Sequence, residues 1–217
     1  MTPAHLRLLL PEHAVLRAPA LCPEITAYEA KELVPLWEAA ESLAGGEVEP
    51  PFWAFSWPGG QALARYLLDR PETVRGKSVL DLGCGNALAA IAAARAGAAS
   101  VLANDIDPAA IEMARENTLE NGASAVHFSL GDLLGSPPPG VDVVCAGDLF
   151  YERGLASRAG PWLRAAAAAG ALVLAGDPGR AYTPRHGVES LAAYDVPVSL
   201  DVERESPLRT AVLRILP

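Results

Sequence analysis

The chain has 217 residues, enough for one well-buried domain with an extension and too few for two large ones. Hydrophobic residues make up 51% of it, yet the longest apolar run, Ala165 to Gly176, falls short of the roughly 20 residues that cross a bilayer. A formal net charge of −9 disfavours nucleic acid, whose phosphates would be repelled over the whole approach, and favours proteins or small molecules as partners.

At the N-terminus, Leu8-Leu9-Leu10 is interrupted by Pro11 and Glu12, so the continuous apolar core of a secretory signal is missing. Arg7 and Arg17 suit a mitochondrial presequence, but serine is absent from the first forty residues, where such presequences are serine-rich. Cys22, Cys84 and Cys145 show no C-x-x-C spacing, which fits reduced thiols and gives no sign of a metal site. Arginine greatly outnumbers lysine, present only as Lys31 and Lys77, a bias of GC-rich bacterial genomes. The expectation is a bacterial cytoplasmic protein without membrane attachment, with the mitochondrial matrix as the lesser alternative.

Residues 1–50 have no clear period and are punctuated by Pro3, Pro11, Pro19, Pro23 and Pro35. Pro35 suits the opening of a short helix through Leu43, stopped by Gly45-Gly46. This stretch is expected to be an accessory segment laid on a main domain of residues 51–217. Next, Pro51 to Gly60 gathers Phe52, Trp53, Phe55 and Trp57 ahead of a helix over Gln61 to Leu68. Such a cluster packs a core or, with Trp57 fixed by Pro58, walls a cofactor pocket; both readings are open.

From Ser78 onward strands and helices alternate. The strand candidates are Ser78 to Leu82, Ser100 to Asp105, Ala125 to Leu130, Val141 to Gly147, Ala171 to Gly176, Val198 to Val202 and Thr210 to Leu216. Helical patterns over Ala87 to Ala96, Pro108 to Asn121 and Leu155 to Ala168 stop at Gly97, Gly122 and Gly170. The fold class is therefore α/β, a Rossmann-like doubly wound, mostly parallel seven-stranded sheet with a short N-terminal extension. Ligands of such sheets bind outside the carboxyl ends of the strands.

At the first strand end, Asp81-Leu82-Gly83-Cys84-Gly85 runs into an alanine-rich helix. The glycines allow a ligand to approach the backbone closely. A dinucleotide motif requires a third glycine where Leu88 stands, and Asp81 would repel a pyrophosphate. S-adenosylmethionine carries an ammonium, a sulfonium and no phosphate, so it fits the charge. Asp105 lies about twenty residues beyond the glycines, where a carboxylate accepts from both ribose hydroxyls. Asp107 before Pro108 is a helix N-cap. Asp132-Leu133 either receives the adenine amino group and covers the ring or is a turn. Asp148 to Tyr151 and Asp177-Pro178-Gly179-Arg180 close the remaining strands, the latter at minimum a turn. Gly76-Lys77-Ser78 precedes its strand instead of following it, so it is no phosphate loop, and no G-x-S-x-G elbow occurs. The four histidines sit beside no nucleophile motif or paired ligand.

Asp81 to Gly85 with Asp105 resemble class I S-adenosylmethionine-dependent methyltransferases. More narrowly, Pro51 to Ala54, Trp57 to Leu63, Ala103 to Pro108, Asp148-Leu149-Phe150-Tyr151 and Gly176 to Arg180 resemble the lysine methyltransferases of the electron transfer flavoprotein β subunit. The D-x-x-Y after the fourth strand marks a wider group of seven-stranded protein lysine methyltransferases. The resemblance implies Trp57, Asp81, Gly83, Cys84, Gly85, Asp105, Ile106, Asp132 and Leu133 at the cofactor. It also implies Asp148 and Tyr151 at the acceptor lysine, the flavoprotein β subunit as substrate, and S-adenosylhomocysteine as product. Because a carboxylate raises a neighbouring lysine pKa, Asp148 is expected to align the amine more than to deprotonate it. Tyr151 shapes the channel or holds the lysine through its ring, unless it is core. Other acceptors (a ribosomal protein or a small amine), a non-catalytic cofactor-binding module and a dehydrogenase are the alternatives.

Overall fold

The computed structural model describes residues 3–199, 203 and 205–217. After helix α1 (Pro3–His13) come the short strands β1 (Ala14–Arg17) and β2 (Ala27–Ala30), which pair antiparallel, then α2 (Leu33–Ala44). A single 3-10 turn over Phe52–Ala54 leads to α3 (Pro58–Asp69). The remaining α-helices and strands are β3 (Ser78–Leu82), α4 (Leu88–Arg95), β4 (Ser100–Asp105), α5 (Pro108–Glu120), β5 (Val126–Leu130), β6 (Val143–Gly147), α6 (Arg153–Ala168), β7 (Leu172–Asp177), β8 (Val188–Val196) and β9 (Leu208–Ile215).

The large sheet has the order β5-β4-β3-β6-β7-β9-β8. Its first five strands run parallel, and β9 lies antiparallel between β7 and β8. β3 pairs with both β4 and β6, so the chain reverses its direction of winding there. The carboxyl ends of β3 and β6 therefore open a crevice at the topological switch point.

Alternate residues divide the core. Val79, Val101, Val143, Cys145 and Leu174 face α3, α4 and α5, whereas Leu80, Leu82, Val144, Ala146 and Val173 face α6. Both faces are covered, which is why these strands read as nearly continuous apolar runs. The alanines of α4 are almost all buried, and their small side chains let it lie close to β3 and α3.

The first fifty residues pack mainly on α5. Leu9, Ala30, Leu36 and Ala40 form one cluster with Trp53, Ala54, Phe55 and the α5 residues Ala109, Ala110 and Met113. Asn117 of α5 and Asn121 at its C-cap hold the incoming chain: Asn117 Oδ1 accepts from the Tyr28 N–H at 2.8 Å, and Asn121 Nδ2 donates to the Thr26 carbonyl at 2.6 Å. No period marks this region in the sequence because its strands are only four residues long and Pro11 interrupts α1.

One strand lies elsewhere than expected. The sixth strand is Val188–Val196, not Val198 to Val202, of which 200–202 fall outside the described residues. A register shift between Ser190 and Ala192 breaks the alternation that would have revealed it.

Three glycines set how α3 meets the sheet. Gly147 and Gly176 are register partners on β6 and β7, and the first turn of α3 rests on them. A Cβ on Gly59 would overlap the Gly176 carbonyl oxygen, and one on Gly176 would overlap that of Gly59. Gly60, one residue on, has open space where its Cβ would be. Gly59→Ala should thus lose about 3 kcal/mol, because backbone cannot yield as a side chain does. Gly60→Ala should be neutral or gain up to about 1 kcal/mol; urea unfolding of both variants measures the difference.

Candidate active site

Two helices at the crevice begin without a capping side chain of their own. α4 follows Ala87, which has a left-handed backbone (φ 63°), and α3 follows Trp57; neither cap residue supplies a hydrogen bond. In each case an acid from a strand end supplies it. Asp81 on β3, 2% exposed, accepts the Ala90 N–H through Oδ2 at 2.9 Å. Asp148, just after β6, accepts the N–H groups of Gly59 at 2.6 Å and Gly60 at 3.2 Å. Both carboxylates thus sit at the positive end of a helix.

Burial nevertheless dominates their ionisation. Loss of hydration pushes the Asp81 carboxyl up to about 7, against the Ala90 N–H that favours its charge. Desolvation likewise pushes Asp148 up to about 6, with Arg180 acting in the opposite direction.

The turn between them is held tightly. Gly83 and Gly85 both have positive φ, at 68° and 51°. A Cβ on Gly83 would lie 2.8 Å from Leu149 Cδ2, so the glycine turn packs closely against the side chain of Leu149 on the loop after β6. The Gly85 N–H donates to Asp105 Oδ2 at 2.9 Å, while Asp105 Oδ1 takes the Asp107 N–H at 3.0 Å. Cys84 is buried, and its N–H donates to the Asn104 carbonyl at 2.9 Å. Burial pushes its thiol up, as it does for Cys22 and Cys145.

The resulting cleft has about 390 Å³ of space, part of it open to solvent. Trp57, Asp81, Gly83, Cys84, Gly85 and Asp148 line it, together with Phe55, Gly60, Asn86, Leu88, Ala89 and Gly147. That lining holds two carboxylates and no lysine or arginine. It suits a cationic ligand and disfavours a phosphate.

Aromatic rings form the rim. Phe52 lies 6.0 Å from Trp57 and 6.0 Å from Tyr151, and Phe55 lies 5.9 Å from Trp57. Tyr151 is 49% exposed and Phe52 44%, so these two rings are not core. Trp57 Nε1 donates to the Phe52 carbonyl at 2.6 Å, which fixes its ring.

The other predicted residues stand farther along the sheet edge. Ile106 is 71% exposed beyond Asp105, and Leu133 is half-buried in a 3-10 turn after β5. Asp132 caps that turn through the Leu134 N–H at 2.9 Å and pairs with Arg158 of α6, so both of its oxygens have partners. Asp105 is tied to the glycine turn through the Gly85 N–H, but Asp105, Ile106, Asp132 and Leu133 all lie outside the cleft lining.

Several residues here went unread in the sequence. Gly59 and Gly60, assigned no role of their own from sequence, anchor Asp148. Arg180 closes the Asp-Pro-Gly turn and contacts Asp148 Oδ1 through Nη2 at 3.0 Å and Nε at 3.3 Å. Its other partner, Glu203, comes from the β8–β9 connection, where no motif marks it.

This topology is the fold of class I methyltransferases. The ribosomal protein L11 methyltransferase (PrmA) family model matches residues 62–149. A crystal structure of ribosomal protein L11 methylase from Lactobacillus delbrueckii subsp. bulgaricus superposes with a TM-score of 0.51 at 21% identity, over 73% of this chain and 79% of that one. The mouse electron transfer flavoprotein β-subunit lysine methyltransferase is 40% identical over 181 residues, covering 81% of this chain and 70% of the mouse protein. The zebrafish counterpart is 42% identical over 169 residues, 76% of this chain and 66% of its own length. The chain belongs to the electron transfer flavoprotein β-subunit lysine methyltransferase family.

Asp81 yields a stability prediction. Its folded carboxyl, at about 7, is above the ordinary unfolded value of ~3.9, so between those values the folded state binds more protons. The wild type should therefore lose stability as pH rises through that window. Asp81→Asn keeps an acceptor for the Ala90 N–H and should show a flatter decline, exceeding the wild type above pH ~7. Asp81→Ala removes the cap and should fall below the wild type already at pH 5, by about 1 kcal/mol or more. Thermal unfolding of the three proteins from pH 5 to 9 checks this.

Proposed function

We propose that this chain is an S-adenosylmethionine-dependent protein-lysine N-methyltransferase acting on the β subunit of electron transfer flavoprotein in a bacterial cytoplasm. The observation that carries the proposal is that Asp148 lines the same cleft as Asp81, Gly83 and Gly85, beneath an exposed aromatic rim that includes Tyr151. Methyl donor and acceptor thus have adjoining places in one crevice. The family membership and the match to flavoprotein β-subunit lysine methyltransferases support the acceptor. The L11 methyltransferase model ends at Leu149, before Tyr151 and Arg180, and so speaks mainly to the donor side.

The residues present fit the cofactor. An acidic cleft without basic side chains, glycines at positive φ and a carboxylate at the end of β4 suit a cationic nucleoside. Asp81, Gly83, Cys84, Gly85 and Trp57 would hold its methionine end, Asp105 its ribose, and Ile106 and Leu133 its adenine. When bound, S-adenosylmethionine supplies an electrophilic methyl group on sulfur and leaves as S-adenosylhomocysteine.

The chain's own residues then act on the lysine. A lysine of pKa ~10.4 is mostly protonated at neutral pH and attacks only after losing a proton. Asp148, ionised above about 6, stabilises the ammonium and so opposes that loss. Its contribution is alignment: two amide donors and a guanidinium fix the carboxylate, and the fixed carboxylate places the amine. Tyr151, Phe52 and Trp57 offer ring faces to the lysine stem and its charge. The acidic surface, with a net charge of −9, favours a protein acceptor rather than nucleic acid. The three buried, protonated thiols suit a reducing cytoplasm.

Asp148→Asn retains an acceptor for Gly59 and Gly60 but loses the charge. Methylation of purified flavoprotein β subunit, followed with labelled cofactor, should fall by about 100-fold or more. Cofactor affinity by calorimetry should change by no more than about threefold. Undiminished turnover would refute the role of Asp148. Label entering small molecules but no protein in a bacterial lysate would refute the protein-lysine function.

A further inference from the structure

Asp148 is the end of a buried chain of charges. Its Oδ1 meets the forked contact from Arg180, and Arg180 makes a two-point contact with Glu203, Nη2 to Oε1 at 2.6 Å and Nη1 to Oε2 at 3.2 Å. All three side chains are at most 20% exposed. The guanidinium carbon also lies 5.9 Å from the centre of the Trp57 ring. The backbone of the turn is fixed as well: Asp177 Oδ1 accepts from the Gly179 and Arg180 N–H groups at 2.7 and 2.8 Å and from the Thr183 hydroxyl. Arg180 is thus held from below by Asp177 and from the far side by Glu203.

We propose that Arg180, seated on Glu203, is a positioning residue that keeps the Asp148 carboxylate charged and aimed at the acceptor lysine. The proposal rests on the protein-lysine reading of the site. The groups that face Asp148 are the Gly59 and Gly60 amides of α3, Arg180, Asp177 at the end of β7, Asp81 across the cleft and, through Arg180, Glu203. Burial and Asp177 favour the neutral acid, whereas Arg180 and the amides favour the anion. Among these, Arg180 is the only cation. Glu203 has opposing effects: it orients the guanidinium through two contacts, and its negative charge offsets part of the field that Arg180 exerts on Asp148.

Opposite signs follow for two substitutions. Arg180→Gln leaves two buried acids with no cation between them, so protonation of Asp148 becomes easier and the acid limb of methyl transfer moves up by about one pH unit or more. Glu203→Gln removes the compensating anion and moves that limb down by a few tenths of a unit. Arg180→Lys keeps the charge without the planar fork and lies between wild type and Arg180→Gln. A purely structural role would lower the rate in all three and leave the limb in place.

The test records kcat against pH from 5 to 9 for wild type, R180Q, R180K and E203Q on flavoprotein β subunit, with thermal unfolding to confirm folding. In parallel, carboxyl carbon-13 NMR follows the Asp148 titration, assigned by its loss in D148N, and requires no methyl acceptor. Upward displacement in R180Q and downward displacement in E203Q support the proposal. An unmoved titration in R180Q, or displacement in the same direction in both variants, overturns it. If R180Q does not fold, R180K and E203Q decide by the same opposition of sign. Absence of methylation by the wild type would refute the proposed function, while the NMR titration would still judge the role of Arg180.

Discussion

The active crevice depends on carboxylates from strand ends placed at the N-termini of helices that lack caps of their own. Asp81 closes α4 and Asp148 closes α3, and each reaches across from a different strand. A helix start exposes unpaired N–H groups and partial positive charge, so an acid there is stabilised even when little water remains. These two contacts tie β3 to α4 and β6 to α3. They bring the glycine turn and the loop after β6 to the same crevice.

Both acids are also the charges of the cleft. Desolvation holds them near the boundary between protonated and ionised at neutral pH, with Asp81 at about 7 and Asp148 at about 6. Such groups are poor contributors to stability but are ready to be charged when a cation enters. Arg180 shifts the balance at Asp148 alone, which gives the two acids different roles within one small space. Apart from Tyr151 on the loop after β6, the aromatic rim above them belongs to the segment before α3, and α5, through Trp53 and Phe55, supports that segment from behind.

Legibility in the sequence followed the range of the interaction. Asp107 and Pro108 announced the start of α5, and Asp107 Oδ1 does accept the Ala109 N–H at 2.8 Å, because a cap needs only residues two apart. Gly45, Gly97, Gly122 and Gly170 stopped helices for the same local reason, all at positive φ. β8 was misplaced because its bulge interrupts the period of two, and the β1–β2 pair was missed because four residues carry too little pattern. Asp132, read equally as adenine acceptor or turn residue, is in the structure a turn cap paired with Arg158, a partner on α6 that no spacing foretells.

By itself, the sequence determined the parallel core, the switch-point strand with its glycine turn, and the acids at the strand ends. These follow from hydrophobic period and backbone permissiveness, which act over a few residues. Tertiary structure alone decided what each acid touches. Asp81 and Asp148 became helix caps, Gly59 and Gly176 came into backbone contact, and Arg180 became the link between Asp148 and Glu203. Those contacts join residues 9 to 117 positions apart. The crossing of α3 over the ends of β6 and β7 brings Gly59 to Gly176 and Asp148, and the β8–β9 connection brings Glu203 to Arg180.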